Sequence, residues 1–467
     1  MESSKLKKDN LSMIETIALS VAIVAPTASM SLNVPLMAQT AGFSSPFVFF
    51  VSMIIVGFVS YSIIKFNQYF SSAGSLYTFT KESLGEKMGF TSGWTLLLAY
   101  MMLVAGCTAG LGTFCSSLLN VFGIHVAWLP LSLIFSIVMI FVGITDAKIS
   151  TRIMLIMEGI SITLILILSL VIIYKVGTTT GLSLVPFKNN GNKMSSIAST
   201  SVLAFLAFIG FESASSLGEE TKNPKKYIPI AIVSAVFLTG LFYLISSYSQ
   251  VIGFGVNSEG LKALSESSLP LTDLAGKFIS RSYGTFLILS AVLSFFSCAL
   301  GAACAGARML FSMSRDGIMH KSMKKIHRKY STPYAALIFI VAVSMVIQIS
   351  MFYKEGTEVF QYCATIGSLA ILVSYLFTSV GAVVYFTKYK ICSKISLFMP
   401  GLSVLVLVCV LAANIYPVPE FPSNLFPYIV FGWIVLGLVL EHKFKQDTAD
   451  KKVIVNGRSE DITENIV

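Results

Sequence analysis

The stretch AFIGFESASSLGEETKNPKKYIP, Ala207 to Pro229, starts deep inside an apolar run and yet carries Gly210 and Glu212 almost side by side. Glycine lowers helix preference, and an ionisable group is costly where its surroundings are most apolar. A second stretch, VAPTASMS at Val24 to Ser31, sets Pro26 inside another apolar run. Proline removes a backbone donor and opposes helix continuation. Both stretches read as interruptions of membrane-crossing helices. An interrupted helix exposes N–H groups at the start of one half and C=O groups at the end of the other. The N–H end draws a carboxylate and the C=O end an ammonium. Two such breaks facing each other would hold a zwitterion, the head group of an α-amino acid. The competing reading is a plain kink at each, as proline and glycine give in packed helices.

Composition supports a membrane setting. Of 467 residues, 55% are hydrophobic and 12% charged, against about 25% charged in soluble domains. Apolar segments fall at approximately 13–41, 46–66, 89–118, 126–146, 152–174, 195–217, 228–253, 284–313, 333–353, 358–387, 395–416 and 425–442. They are expected to be helices, because a lipid-exposed backbone must satisfy its own hydrogen bonds and no segment alternates as barrel strands do. The expected fold class is an all-α integral membrane protein of twelve transmembrane helices. Lys5, Lys7 and Lys8 ahead of the first run resemble the start of a signal peptide, but Glu15 interrupts the run and its apolar character continues to about Ala41, so it reads as an uncleaved first span.

The great majority of the 33 Lys and Arg residues fall in segments on the N-terminal side of the membrane, which places both termini in the cytoplasm. The net charge of +10 is therefore a topology signal and an attraction to anionic lipid, not a nucleic-acid footprint. Residues 1–12 are read as a cytoplasmic N-terminus, and 446–467, mixed in charge and poor in apolar residues, as a disordered tail. Seven cysteines without a CxxC pair read as free thiols packed in the spans, so no metal and no cofactor is expected. Walker A, HExxH and serine–lysine arrangements are absent, which argues against ATP-driven transport and against an enzyme.

The two interrupted spans are the first and the sixth. Interruptions at corresponding positions of two halves point to a transporter of inverted repeats. Residues 13–174 would be the first five-helix repeat, 195–387 the second, and 395–445 two helices added outside.

At this level the motifs are recognisable. GFESASSLGEETKNPKKYIPIAI, from Gly210, resembles the sixth-span signature of the amino acid–polyamine–organocation (APC) superfamily, and AGARMLFSMSRDGIMHKSMKKIHRKYSTPYAAL, Ala305 to Leu337, resembles the signature after span eight. The resemblance implies a leucine-transporter-like fold with 5+5 inverted repeats, broken helices 1 and 6, and alternating access. It implies a substrate carboxylate held along Ala25, Pro26, Thr27, Ala28, Ser29 and Met30, and an amino group held around Leu206, Phe208, Ile209, Gly210 and Phe211. The expected function is secondary active transport, by import or exchange, of amino acids or related amines across the plasma membrane, in a bacterial cell. The expected partners are that small-molecule substrate, a proton or a sodium ion, and membrane lipid, with no nucleic acid. Departures are visible: Pro26-Thr27-Ala28-Ser29 stands where many members have GSG or GTG. The usual aromatic gate position is Leu206, with Phe208 or Phe211 as substitutes, and the lysine that some proton-coupled members carry in span five is missing at mid-span.

Glu158 in span five and Glu212 in span six are the acidic residues well inside spans, and both are candidates for proton coupling. Glu212 also reads as a cap on the second half-helix; Glu158, six residues after Arg152, also reads as a group reaching for interfacial water. Thr108, within the GxxxG of Gly106 to Gly110, and Ser294 and Ser297, in a small-residue stripe, read first as close packing. Alternatively Thr108 faces the site, and the two serines ligate sodium. Glu219 and Glu220 pair with Arg308 and Arg315 in an expected inner gate, against a solvated loop as the plain reading. Residues 257–281 carry two short amphipathic patterns and read as a lid. The alternatives kept are a nutrient-sensing receptor of the same fold, a polyamine or organocation carrier, and a sodium-coupled transporter.

Overall fold

The computed structural model describes residues 6–192, 194–391, 394–416, 418 and 421–441, and the expected tail at 446–467 lies outside them. The helices are α1 Met13–Val24, α2 Pro26–Ala41, α3 Ser45–Tyr69, α4 Leu76–Leu84, α5 Glu86–Val121, α6 Trp128–Ile144, α7 Ala147–Thr179, α8 Met194–Leu206, α9 Pro224–Phe254, α10 Ser258–Glu266, α11 Pro270–Phe278, α12 Arg281–Arg315, α13 Tyr334–Ser350, α14 Gly356–Lys388 and α15 Lys394–Ala413. A last helix, α16, covers 426–441. Among the described residues there is no β-strand, only one isolated bridge from Leu11 to Thr221. Among the described residues eight segments are long and apolar enough to cross a membrane, with Met13–Tyr69 counted as one, and α6 and α13 are shorter apolar helices.

Both interruptions are present, with different lengths. At the end of α1 Ala25 turns left-handed (φ 48°, ψ 59°) and its N–H bonds back to Val21 and Ala22. Pro26 then opens α2 at the first helical position, where its missing N–H costs nothing. The break is thus a single residue, and Thr27 to Met30 are helical, narrower than the stretch expected from Ala25 to Met30. The sixth-span break is longer. After Leu206 the chain runs through i→i+3 turns, Phe208 N–H to Phe205, Ile209 to Leu206 and Phe211 to Phe208, and resumes as a short 3-10 helix, Ser213–Leu217.

The centre of the bundle is α5, packed on α12 and α14. Its glycines make this possible: a Cβ at Gly110 would sit 2.8 Å from the Phe295 ring, and one at Gly106 would sit 3.1 Å from Cys363. The GxxxG therefore serves close packing, toward two different neighbours. The periphery exposes large apolar side chains such as Ile156 and Leu170 on α7 and Phe431 on α16, a surface suited to lipid rather than water. The two amphipathic patterns at 257–281 are helices α10 and α11, and α10 lies on α2 with Gln39 donating to the Ser265 carbonyl (2.9 Å).

α16 is pinned to α5 by a reciprocal pair. The Trp94 and Trp433 rings stack at 4.5 Å, and each indole N–H donates to the other residue's carbonyl, at 2.7 and 2.9 Å. Losing the stack and one hydrogen bond should cost about 1–3 kcal/mol. Trp433→Ala is therefore expected to melt earlier in detergent than the unaltered protein, and Trp433→Phe to fall between the two. Coincident melting of all three would show that α16 is not held by this pair.

Candidate functional site

The two breaks meet. Ile23, at the end of α1, is wedged between them: a Cβ on Gly210 would lie 2.3 Å from its Cγ2, and one on Gly301 of α12 would lie 2.6 Å from its Cγ1. Gly210 also has φ +103°, which side chains rarely adopt. Its place in the sequence is thus accounted for twice, by space and by backbone conformation.

Beside this contact lies a cavity of about 290 Å³. Ala25, Ala28 and Ser29 line it from the first break, and Leu206, Ala207, Ile209 and Gly210 line it from the second. Tyr100, Leu103 and Cys107 of α5, Cys298 of α12, and Phe360, Tyr362 and Ile371 of α14 complete much of the wall. Among the described residues no charged side chain lines it. Ser29 N–H is the first in α2 to bond back within the helix, to Ala25 O (3.0 Å). The Thr27 and Ala28 N–H groups ahead of it have no acceptor inside the helix, as at any helix start.

Several expected contributors point elsewhere. Pro26, Thr27 and Met30 are buried behind the wall. Thr108 bonds to Val104 O and receives the Gln348 amide at 2.7 Å, so it faces α13. Phe208 packs on Tyr243 and Phe211 on Tyr375, so neither replaces an aromatic at Leu206, and the aromatic rings that do reach the cavity belong to Tyr100, Phe360 and Tyr362.

The two buried carboxyls sit on opposite sides of the breaks. Glu212 is fully buried and accepts from the Tyr375 hydroxyl at 2.5 Å and from Tyr100 at 3.4 Å. Sequence reading missed both tyrosines, although each is a phenol in the middle of an apolar segment. Glu158 does not reach for interfacial water. It is 2% exposed and accepts from Ser294 at 3.1 Å, while Arg152 turns instead to Glu15 (3.0 Å). Ser297 donates to the Met154 carbonyl, so it is spent on packing α12 to α7.

The end of the bundle carrying Glu219 and Glu220 is closed by ion pairs. Arg308 and Glu220 form a buried pair, and Arg315 grips Glu219 through two bonds, 2.6 and 2.9 Å. Asp316 receives both Tyr77 (2.7 Å) and Lys81 (2.5 Å). Ahead of α1, Asn10 and Leu11 N–H both bond to the Glu220 carbonyl, and Lys7 reaches Asp146 at 2.7 Å. Partial burial pushes the Glu219 carboxyl up, and Arg315 outweighs it, leaving Glu219 below its ordinary value. For a group lowered in this way, the pair's contribution holds at neutral pH and is lost as pH falls through that lowered value. The cavity extends from the breaks toward Asn33, Gln361, Tyr362 and Ser423, away from this closure.

Residues 17–452 match the family model described as amino acid permease. The chain is 29% identical over 342 residues to the branched-chain amino acid permease BcaP of Bacillus subtilis, covering 66% of this chain and 68% of that protein. It is 24% identical to BcaP of Lactococcus lactis over 395 residues, 78% of this chain and 79% of that one, and 23% identical over 306 residues to the low-affinity putrescine importer PlaP of Escherichia coli, 64% and 66%. Among solved structures, the crystal structure of a histidine mutant of the Eremococcus coleocola manganese transporter aligns with a TM-score of 0.57 at 10% identity, over 96% of this chain and 99% of that one, which shows a shared fold. These relatives are transporters, not enzymes.

The Gly210–Ile23 contact yields a direct test. Gly210→Ala adds a Cβ where none fits and fixes an unfavourable φ, a strain of about 1–3 kcal/mol. The expected outcome is a protein that inserts and melts cooperatively but binds ligand weakly, and Gly210→Leu should bind none. Full binding by Gly210→Leu would mean that the break is not part of the site.

Proposed function

Because the chain belongs to the amino acid permease family, we propose that it carries a neutral amino acid with an apolar side chain across the plasma membrane, by alternating access and coupled to a proton. The observation that carries this reading is the meeting of two backbone breaks at a cavity without charged lining. A zwitterionic head group needs donors for its carboxylate and acceptors for its ammonium, and half-helix ends supply both. The N-terminus of α2 takes the carboxylate, and carbonyls at the end of α1 and around Ile209 take the ammonium. The rest of the substrate then lies against Leu103, Leu206 and Ile371. A putrescine-like dication would need an anionic wall, which argues for the kind of substrate named for the BcaP relatives over that named for PlaP.

In this reading all twelve apolar segments cross the membrane, α1 to α7 form the first five-helix repeat and α8 to α14 the inverted second, and both termini are cytoplasmic. The excess of basic residues on that side supports the orientation. The ion-paired end is then the inner gate, and the cavity faces outward. Glu212 is the proton carrier: Tyr100 both lines the cavity and touches Glu212, so one hydroxyl separates the carboxyl from cavity water. Protonation from outside and release inside, once the inner end opens, would move proton and substrate in the same direction. Glu158, against Ser294 and beside the start of α2, is the second candidate.

In proteoliposomes, Glu212→Gln should abolish accumulation driven by an inward proton gradient while exchange at equal pH persists. Gradient-driven accumulation with its pH dependence intact would leave Glu212 a structural cap and move the assignment to Glu158. Esters and decarboxylated analogues of the substrate should each lose about 1.5–3 kcal/mol of binding per charge-assisted hydrogen bond removed. Equal binding of a simple amine would overturn the carboxylate site.

A further inference from the structure

Cys107 on α5 and Cys298 on α12 face each other in the cavity wall, with the two sulfurs 3.3 Å apart. Both are free thiols. Cys298 is also in contact with the first break, where its S–H lies 3.1 Å from the Ile23 carbonyl, one of the acceptors that the end of α1 leaves behind. Two thiols in mutual contact, open to a cavity and attached to its most constrained residue, are more than two small packing groups.

We propose that Cys107 and Cys298 form a dithiol modification site for hydrogen peroxide that enters the cavity, and that their joining as a disulfide arrests transport. One sulfur, as thiolate, attacks the peroxide; the O–O bond breaks, and a sulfenic acid and hydroxide form, the latter taking up the proton released from the thiol to give water. The second thiol then attacks the sulfenic sulfur, the S–S bond forms, and a second water leaves with the remaining proton. Two thiols lose two electrons and two hydrogens in total, and one peroxide becomes two waters. The geometry favours completion, because a sulfenic acid on either residue has its partner already at 3.3 Å and the bond requires an approach to about 2.05 Å.

The consequence for the site is specific. In the disulfide Cys298 has no hydrogen to donate, so the Ile23 carbonyl loses that partner. Ile23 is the residue wedged between Gly210 and Gly301, so a shift there reaches both breaks. The link also ties α5 to α12. The arrest of transport rests on the function proposed above; the formation of the disulfide does not.

The test uses the full chain in proteoliposomes treated with hydrogen peroxide, followed by proteolysis with mass spectrometry and by uptake of a branched-chain amino acid, before and after dithiothreitol. The expected result is a peptide linking Cys107 to Cys298, lighter by two hydrogens, with loss of uptake, both reversed by the reductant. Cys107→Ser and Cys298→Ser, each compared with its own untreated rate, should form no link and keep that rate under peroxide. Oxidation of the exposed Cys409 without any Cys107–Cys298 link would overturn the site, and a link that leaves uptake unchanged would overturn the arrest. Failure of the untreated protein to take up any amino acid appears before oxidation, and counts against the transport reading rather than against the dithiol, which is read by mass.

Discussion

The constraint on which the rest of this structure depends is that a helix broken at the depth of a membrane must find partners for the backbone groups it frees. Each such group left unmatched in an apolar surround costs several kcal/mol. The protein meets most of the demand with side chains from neighbouring helices. The Ser20 hydroxyl accepts from Ala214 N–H and donates to Phe211 O, binding α1 to the far side of the sixth-span break. Tyr243 of α9 donates to Ala207 O. Of the first turn of α2, Ala28 and Ser29 line the cavity, while Thr27 faces Glu158. In the function proposed here, such a site would read a head group by fixed backbone, without a charged side chain.

Much of this was legible in the sequence, and the reason is chemical. Pro26 and Gly210 are costly in a helix wherever the helix sits, so their presence in apolar runs carries meaning from residue type and position alone. The charges at the ion-paired end were legible for the same reason: Glu219, Glu220, Arg308 and Arg315 bordering apolar segments need partners, and they have found each other. The paired short helices α10 and α11 followed from their amphipathic pattern. The length of the first break did not. Pro26 is a helix breaker in an interior and a helix starter at the first position, and only the left-handed turn at Ala25 decides which role it plays.

The facing of individual side chains was the least legible part. Phe208 and Phe211, expected at the cavity, point to Tyr243 and Tyr375 instead, and Thr108 takes the packing role read first for it, toward α13, rather than the alternative at the site. Tyr100 and Tyr375 were passed over, and Cys107 and Cys298 were read only as packing thiols. In a helix that is apolar all round, periodicity gives no face, because lipid and protein interior prefer the same residues. The rotation of each helix is set by where small residues permit close approach. Gly106 turns α5 toward α14 and Gly110 turns it toward Phe295, and the orientation of Tyr100 and Cys107 follows. That information belongs to pairs of helices and is absent from either one read alone.

The two sides of the cavity carry different chemistry, and in the alternation proposed above this difference matters. The end carrying Glu219 and Glu220 is held by a buried Arg308–Glu220 pair, by Arg315 on Glu219 and by Asp316 shared between Tyr77 and Lys81. Breaking a buried pair by removing one partner is strongly destabilising, because it strands a charge. Separating the same pair into water is different, since hydration replaces what each ion loses. If that end opens as the proposed function requires, water must enter as the ions part, so opening and wetting would be one event. The opposite side of the cavity, with Asn33, Gln361, Tyr362 and Ser423, carries neutral groups whose exposure to water costs little. A protein closed by ions on one side and by neutral polar and aromatic groups on the other rests with its cavity away from the ions. In the function proposed here, the binding energy of the substrate, assisted by protonation of a buried carboxyl such as Glu212, would carry it to the state in which the ion pairs are hydrated.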